Sequence, residues 1–570
     1  MRIKIFFLCV ALSCMTFALS AQDYKNPMLV EEGRMDASSA IFPFPSRDLA
    51  LAGDHSVESE YIVPLNEWTS TETEEGITYT TRFKVPYRWS DRVVLLRIEG
   101  VTNSYSVKLN DKYVGYSQAG HGRSQFNMTK LAQENYNTLS VTVYKNTAAE
   151  SIEDSRGHDT QKIGRAFVVS QPKVRIKDLY VEAEYDQGAG LFSLGAVMES
   201  HLINPKEFTI YYELLAPSGE TVAYGDKVLN TQMYSRDSVY FFTRIPQISA
   251  WTHETPVLYT LVVRTQYEGR FKEYVVGKVG FTNFKFDDAG RFFVNDKEVA
   301  LVPEEADWQG DYESTAAYLR QLKESGVSLI LVDSAPQPDE FYQLCDKLGL
   351  YVCNQADINT SKSGLGRVRG GNPSNDPQWT DSFVSRAEDM YLTSKNHPSV
   401  VAFSLADENS ANGIALYEAY LKLKSLEKKR PIYYSSAEGE WNTDGLYMNP
   451  DAEVVNGELE LVTDRAGEGV VMLRNTSAIT TFNVKATYLT QRGAVKYAQM
   501  EEEITIQPGE SYQCRVSLAE MVPGKKNNSL DITVSDVNPS FDYDASVEVA
   551  EPRILIHRKL GFYNSPTLEK

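Results

Sequence analysis

Polar and apolar residues alternate with a period of two over two long stretches in the N-terminal half of the chain. The first runs from Gly76 to Tyr144 and the second from Val174 to Phe286, with turn residues between the alternating runs. Alternation places every second side chain on the same face of a strand, so that one face is buried while the other meets water. Short strands at this spacing predict two antiparallel β-sandwiches, which we assign to residues 22–170 and 171–286.

The pattern changes after Asn295, where apolar runs begin to alternate with helical segments. Ser314 to Gly326 is predicted to be a helix with Ser314 as its cap, and it is followed by apolar runs such as SLILVD and SVVAFSLAD with further helical segments between them. Continuous apolar runs are typical of parallel strands that are covered on both faces. Residues 287–450 are therefore predicted to form βαβ units around a parallel sheet.

Period-two alternation returns at about Asp451, in runs such as GVVMLRN and FNVKATYL. It predicts a third sandwich over residues 451–540, followed by a polar tail over residues 541–570. Along the chain, the order is sandwich, sandwich, α/β unit and sandwich.

Residues 1–21 have the features of a secretory signal peptide. Arg2 and Lys4 precede an almost wholly apolar run from Ile5 to Leu19, and small residues follow it. The run is too short for a membrane span, and no later run reaches about 18 apolar residues. We expect an exported protein without a membrane span, in the periplasm or the extracellular medium. A lipid anchor on Cys14 is the alternative.

The net charge of the chain indicates which classes of binding partner are disfavoured. The chain has 57 Lys and Arg against 77 Asp and Glu, which gives a net charge of −20. An acidic surface repels nucleic-acid phosphates and anionic lipids, whereas it does not disfavour neutral ligands such as sugars. We therefore expect no nucleic-acid partner.

The cysteines and histidines predict neither a disulfide scaffold nor a metal site. Removal of the signal peptide leaves three cysteines, of which Cys345 and Cys353 lie in apolar patterns that predict burial. The sequence has no cluster of Cys and His with zinc spacing, and His121 and His158 are isolated along the chain. We predict no metal and no cofactor.

Several segments resemble the large β-galactosidases of glycoside hydrolase family 2. RIEGVTNSYSVKLNDKYVGYSQ resembles the sugar-binding jelly roll of that family, KVGFTNFKFDDAGRFFVND the entry to its barrel, and FYQLCDKLGLYV and NHPSVVAFSLADE the barrel itself. Such segments follow the family order from about residue 26 to 450. With the third sandwich, the resemblance implies a multidomain β plus α/β fold: a jelly-roll sandwich, an immunoglobulin-like sandwich, an incomplete (β/α) TIM-type barrel and a C-terminal β-sandwich.

The resemblance implies one retained catalytic residue. The general acid/base of the family is a Glu in a Gly-Asn-Glu phrase after the fourth barrel strand, and this phrase reads Ala406-Asp407-Glu408 here. Glu408 is therefore the implied acid/base, and Asp407 is a candidate for sugar binding. Hydrolysis needs a second carboxylate, but the nucleophile phrase of the family, Glu-Tyr-x-His, has no counterpart. Glu438 is the candidate replacement, and Trp441 beside it is a candidate for stacking on a sugar ring.

Other positions of the family pattern are changed as well. The magnesium-binding Glu and His fall on Asn359 and Ser361, and the galactose-holding Asp of the jelly roll falls on Arg156. Residues 295–450 are also far fewer than the about 250 of a typical complete barrel. Such a sheet has open edges, which we expect the C-terminal sandwich or a partner protein to cover.

Two functional hypotheses follow. The first is an exported family-2-like pseudoenzyme that binds carbohydrate or a partner protein and does not hydrolyse, because the fold phrases remain while the chemical ones are altered. The second is an active retaining β-glycosidase of the β-galactosidase type, which uses Glu408 with a relocated nucleophile. A purely structural scaffold of sandwiches is a third reading. We expect the first.

Overall fold

We analysed a computed structural model of the chain. It describes residues 23–52, 59–153, 161–204, 206–232, 234–286, 292–332, 336–364, 371–407, 409–434, 450–455, 459–464, 470–475, 481–492, 495–515, 528–536 and 542–549. These residues form two compact units, of which the first is Met1–Asn283 with Glu304–Leu423 and the second is Phe284–Pro303 with Lys424–Lys570.

The first unit begins with the predicted jelly-roll sandwich. Its strands are β1 (Glu31–Glu32), β2 (Ile62–Pro64), β3 (Thr69–Glu72), β4 (Gly76–Val85), β5 (Arg92–Glu99), β6 (Tyr105–Leu109), β7 (Lys112–Ser117), β8 (Arg123–Asn127), β9 (Asn135–Tyr144) and β10 (Arg165–Pro172), with a short helix α1 (Arg47–Ala52). A six-stranded sheet in the order β1-β7-β6-β9-β4-β3 accompanies a four-stranded sheet in the order β2-β10-β5-β8. Alternate side chains such as Leu96, Val107, Phe126 and Val141 fill the core between them.

An immunoglobulin-like sandwich follows in the same unit. Its strands are β11 (Val174–Asp186), β12 (Ala189–Ser200), β13 (Lys206–Leu215), β14 (Thr221–Thr231), β15 (Arg236–Ile245), β16 (Tyr259–Tyr267) and β17 (Arg270–Val279). The sheets have the orders β11-β12-β15 and β14-β13-β16-β17. Phe192, Phe208, Tyr212 and Phe281 are prominent in the core.

Beyond β17 lie a small sheet of the second unit and then the α/β segment. The small sheet contains β18 (Phe284–Phe286), β19 (Phe292–Val294) and β20 (Lys297–Val299). The α/β elements are β21 (Pro303–Glu305), α2 (Tyr312–Glu324), β22 (Leu329–Leu331), α3 (Asp339–Leu348), β23 (Tyr351–Gln355), α4 (Thr380–Ser394), β24 (Val400–Ser404), α5 (Ile414–Leu426) and β25 (Ile432–Tyr433). β22 pairs in parallel with β23, and β23 pairs in parallel with β24, as the apolar runs predicted.

The prediction that Ser314 caps α2 is wrong. The helix begins two residues before Ser314, and Asp311 is its N-cap, with a side chain that accepts a hydrogen bond from the Ser314 backbone N–H. Ser and Asp are both common cap residues, so a pattern with both leaves the start of a helix ambiguous by one turn.

The last part of the second unit is the predicted third sandwich. Its strands are β26 (Pro450–Val455), β27 (Leu459–Asp464), β28 (Val470–Asn475), β29 (Phe482–Arg492), β30 (Val495–Ile506), β31 (Ser511–Arg515), β32 (Asn528–Asp536) and β33 (Asp542–Val549). They form two four-stranded sheets, β26-β27-β28-β31 and β30-β29-β32-β33. β33 lies in the segment predicted as a tail.

The observed architecture confirms the predicted fold class, multidomain β plus α/β, whereas the domain boundaries stay predictions. No helix in the described ranges is long and apolar enough to cross a membrane.

The turn between α4 and β24 joins the α/β segment to the immunoglobulin-like sandwich. Oδ1 of Asn396 accepts a hydrogen bond from the backbone N–H of Val181 at 3.0 Å, and its Nδ2 donates to the carbonyl of Leu179 at 2.8 Å. The buried ammonium of Lys395 contacts the carboxylate of Asp178 at 2.6 Å. These contacts fix the α/β segment against the immunoglobulin-like sandwich.

Candidate functional site

The carboxyl ends of β23 and β24 lie side by side. The backbone N–H of Ala356 donates to the carbonyl of Ser404 at 3.0 Å, and that of Asp407 donates to the carbonyl of Ile358 at 2.8 Å. In TIM-type barrels, catalytic residues come from this end of the strands. The candidate site is therefore built around the segments that follow β23 and β24.

Asp407 lies at this edge and forms a turn. Its Oδ1 accepts a hydrogen bond from the backbone N–H of Asn409 at 2.8 Å, and its carbonyl accepts one from Ser410 at 3.0 Å. Contact between Asp407 and a sugar stays a prediction. The other three predicted site residues, Glu408, Glu438 and Trp441, lie outside the described residues.

Asn359 and Ser361, which the resemblance aligns with magnesium ligands, are bonded to each other. Oδ1 of Asn359 accepts hydrogen bonds from the backbone N–H of Ser361 at 3.1 Å and from its hydroxyl at 2.6 Å. The backbone N–H of Asn359 donates to the carbonyl of Ile152 in the jelly roll at 2.7 Å. An uncharged amide and a hydroxyl thus form a local turn, which lacks the carboxylate charge that favours binding of a hard cation.

A buried cluster of ionisable groups lies next to this turn, between the jelly roll and the α/β segment. Nδ1 of His121 is 2.9 Å from Oδ2 of Asp357, which is only 2% exposed. One ligand atom each from His121, Glu153 and Asp357 lie within 4.8 Å of one another. His121, which is isolated along the chain, therefore has two acidic neighbours in the fold.

Arg386 of α4 contacts the same cluster. Its Nη2 donates to Oε1 of Glu153, and its Nη1 donates to Oε1 of Gln118 at 3.0 Å. The Ser382 hydroxyl, one turn earlier on α4, donates to the same Gln118 oxygen at 2.7 Å. A buried arginine, which needs compensation when it leaves water, is thus supplied with partners by the jelly roll.

Burial and mutual charge shift the pKa values in the cluster. Burial raises the pKa of the Asp357 carboxyl, the nearby charge of His121 opposes this rise, and that of Glu153 adds to it. For His121, burial favours the neutral ring, but the charge and hydrogen bond of Asp357 outweigh it and raise the pKa to about 9. At neutral pH the imidazole is therefore protonated, and it lies with the Arg386 guanidinium beside the two carboxyl groups.

Sequence reasoning had no signal for this cluster. His121 and Asp357 are 236 positions apart, so no spacing relates them. Arg386 reads as an ordinary polar position of a helix. The one sequence feature that pointed to this region was the segment around Glu153, which resembles the family's sugar-binding phrase.

A cavity of about 210 Å³ opens beside His121. It lies between the jelly roll and the segments after β21 and β22, and its lining includes Arg123, Arg165, Trp308 and Gln337. Oε1 of Gln337 accepts a hydrogen bond from the backbone N–H of Trp308 at 2.8 Å, which fixes the backbone that carries the half-buried indole. An aromatic face with planar polar side chains is a common arrangement of ligand-binding sites.

Three family models match the chain in order. "Glycosyl hydrolases family 2, sugar binding domain" matches residues 17–171, "Glycosyl hydrolases family 2" matches 174–281, and "Glycosyl hydrolases family 2, TIM barrel domain" matches 326–462.

Curated relatives carry the name β-galactosidase. The protein from Halalkalibacterium halodurans is 27% identical over 377 residues, which is 63% of this chain and 36% of the relative. The one from Streptococcus thermophilus is 25% identical over 388 residues, 64% of this chain and 36% of the relative. The chain thus spans little more than a third of the length of these relatives.

Solved structures with the same fold include two from Bacteroides. A Bacteroides uniformis β-glucuronidase has a TM-score of 0.55 at 13% identity, covering 85% of this chain and 75% of that structure. A Bacteroides vulgatus β-glycosidase has a TM-score of 0.53 at 18% identity, covering 67% and 48%. At these identities, the likeness is one of fold.

Proposed function

This chain belongs to glycoside hydrolase family 2, and from this premise we propose that it is an exported member that binds carbohydrate without hydrolysing it. The observation that carries the proposal is the turn of Asn359 and Ser361. These residues stand where the family resemblance expects a carboxylate and an imidazole for magnesium, yet they are uncharged and satisfy each other. The chemistry has been lost where the fold is kept.

The described carboxylates at the strand ends agree with this proposal. A retaining mechanism needs two carboxyl groups about 5–5.5 Å apart, one of them a nucleophile aimed at the sugar. Asp357 is buried and paired with His121, and Asp407 accepts a hydrogen bond from its own turn. Both side chains serve the structure of the loops in which they lie.

The cavity beside Trp308 is the proposed place of carbohydrate binding. The indole offers an apolar face to the C–H groups of a sugar ring, and Gln337 lies beside it. Arg165, on the jelly-roll side, is held in position by bonds of 2.8 and 3.0 Å to Glu340. Such fixed planar groups suit the hydroxyls of a neutral sugar.

The first experiment measures hydrolysis. Purified protein is incubated with aryl β-galactosides and aryl β-glucuronides, and released phenol is compared with that of the Glu408→Gln variant. We expect equal, background-level release from both. Turnover that is lost in Glu408→Gln overturns the proposal in favour of an active retaining β-glycosidase.

The second experiment measures binding. Glycan-array screening followed by calorimetry with the best oligosaccharide is expected to give an affinity that Trp308→Ala lowers at least tenfold. Trp68→Ala, which removes a half-buried tryptophan of the jelly roll that does not line the cavity, is the matched control and should leave the affinity unchanged. Absence of binding to every glycan favours the scaffold hypothesis.

Export is tested separately. Expression of the full chain should give a protein in the periplasm or medium whose N terminus begins after about Ala21, as determined by N-terminal sequencing. Deletion of residues 2–21 should retain it inside the cell. An uncleaved N terminus contradicts export by this signal.

A further inference from the structure

We propose that His121, Glu153 and Asp357 form a binding site for a divalent transition-metal ion, for which Zn²⁺ is the probe. One imidazole and two carboxylates are a ligand set that zinc uses in proteins, with a fourth position for water or a substrate. The ligand atoms lie within 4.8 Å of one another. Bonds of about 2.1 Å in a tetrahedral site require separations of ~3.4 Å, so small side-chain movements complete the site.

One oxygen of the buried Asp357 carboxylate lacks a partner, which also favours a bound cation. It is 2% exposed, and its Oδ1 has no hydrogen-bond partner, while Oδ2 faces His121. A buried charged oxygen without a partner is costly and rare in folded proteins. A bound cation supplies the missing partner to the same carboxylate.

The surroundings of Glu153 also suit a metal ligand. Carboxylates that bind metals are usually oriented by an outer hydrogen-bond donor, and Arg386 donates to Oε1 of Glu153 from α4. Ser382 and Gln118 in turn fix Arg386 and its surroundings. The outer shell of the site is therefore already in place.

The cavity gives the ion access to the cluster, and the two carboxylates balance its charge. His121 lines the cavity of about 210 Å³ beside Trp308, so an ion that enters this cavity reaches the cluster. A histidine must give up its proton to bind a metal, so the ion takes the place of a proton on the ring. The net change is one positive charge, placed between two carboxylates.

This site differs from the one that the family resemblance implies. That site falls on Asn359 and Ser361, which are altered, whereas the proposed ligands come from the jelly roll (His121 and Glu153) and from the residue two places before Asn359. An ion here would connect the two domains through a single centre.

The test uses the full chain, treated with EDTA and dialysed. Calorimetry with ZnCl₂ is expected to give one site per chain, and saturating Zn²⁺ is expected to raise the melting temperature by several degrees. His121→Gln and Asp357→Asn should each lower the affinity at least tenfold. His201→Gln, which alters another carboxylate-paired histidine in the immunoglobulin-like sandwich, should leave it unchanged.

Cobalt provides a readout that does not depend on stability. Co²⁺ added to the EDTA-treated protein should give a visible ligand-field spectrum that changes in His121→Gln, with folding of each variant checked by circular dichroism. If one of the two variants fails to fold, the metal affinity of the other still tests whether the cluster binds the ion. Absence of a stoichiometric site, or binding that both variants retain, overturns the proposal; neither result bears on carbohydrate binding, which is measured separately.

Discussion

Nδ1 of His397 lies 2.7 Å from Oδ2 of Asp346, and this contact ties the segment before β24 to α3. Oδ1 of the same carboxylate accepts a hydrogen bond from the backbone N–H of Ser399 at 3.0 Å, and Nε2 of His397 lies 3.6 Å from Asp339 at the start of the helix. Burial favours the neutral ring, but the two carboxylates outweigh it and raise the pKa of His397 to about 10. His397 is thus a buried cation that joins both ends of α3 to the next strand.

Replacing His397 by Gln should lower the free energy of unfolding by about 3 kcal/mol at pH 6, because it leaves Asp346 buried without its cation. The folded-state pKa of the ring exceeds the unfolded value of about 6.5. Its stabilisation is therefore fully present below about pH 6.5 and disappears as the pH rises through about 10. Urea unfolding of wild type and variant at pH 6 and pH 9.5 measures the difference. A gap that grows with pH contradicts this assignment.

Asp339 stabilises the protein over the opposite pH range from His397, because its pKa is lowered rather than raised. His397 and Arg123 outweigh the burial of Asp339 and lower its carboxyl pKa to about 2. Its contribution is present above about pH 3.9 and is lost as the pH falls towards 2. Urea unfolding between pH 6 and pH 2 should thus show Asp339→Asn destabilised at pH 6 and converging with wild type below pH 3, and a constant difference across this range is the contrary result.

Arg386 should contribute strongly to the stability of the first unit. Arg386→Met leaves the fully buried Glu153 without its guanidinium, so we expect a loss of about 3–5 kcal/mol in urea unfolding. Lys422→Met is the control, because it removes an exposed partner from Glu388, the residue two positions further along α4. That pair should be worth less than about 1 kcal/mol. Equal losses in the two variants contradict a special role for the buried pair.

The structure explains why some segments that resemble the family predicted the fold correctly. NHPSVVAFSLADE contains Asn396, His397 and Ser399, which bond the immunoglobulin-like sandwich and α3, so these residues maintain packing whatever the chemistry of the site. The alternation of apolar residues likewise fixed the strands, because each sandwich buries one face of each sheet. Fold and packing were therefore predictable.

The cluster of His121, Glu153 and Asp357 was not predictable, and the reason is physical. It forms where the jelly roll meets the α/β segment, and the contact depends on how two domains pack rather than on any local periodicity. A histidine in a loop between two strands and an aspartate after a strand are unremarkable by themselves. Only the tertiary structure brings them to 2.9 Å.

Cys345 and Cys353 should resist alkylation in the folded protein. Burial raises the pKa of the Cys353 thiol to about 12 and that of Cys345 above its usual range, so almost no reactive thiolate is present at pH 8. Iodoacetamide labelling followed by peptide mass spectrometry should give little modification at either position in buffer and full modification in urea. Labelling in buffer as fast as that of free cysteine contradicts the burial of these residues.

Gly349 ends α3 in the left-handed conformation, with φ at 73°. A Cβ at this position would lie 2.7 Å from the carbonyl oxygen of His253, which belongs to the immunoglobulin-like sandwich. Gly349→Ala should therefore cost about 1–2 kcal/mol for the backbone conformation and more for the contact. Gly219→Ala separates the two effects, since Gly219 has φ of 87° and nothing within 4 Å of a Cβ, so that only the conformational cost remains. A larger loss of unfolding free energy in Gly349→Ala than in Gly219→Ala measures how closely α3 packs on the sandwich, and equal losses would mean that the helix end yields to the added methyl group.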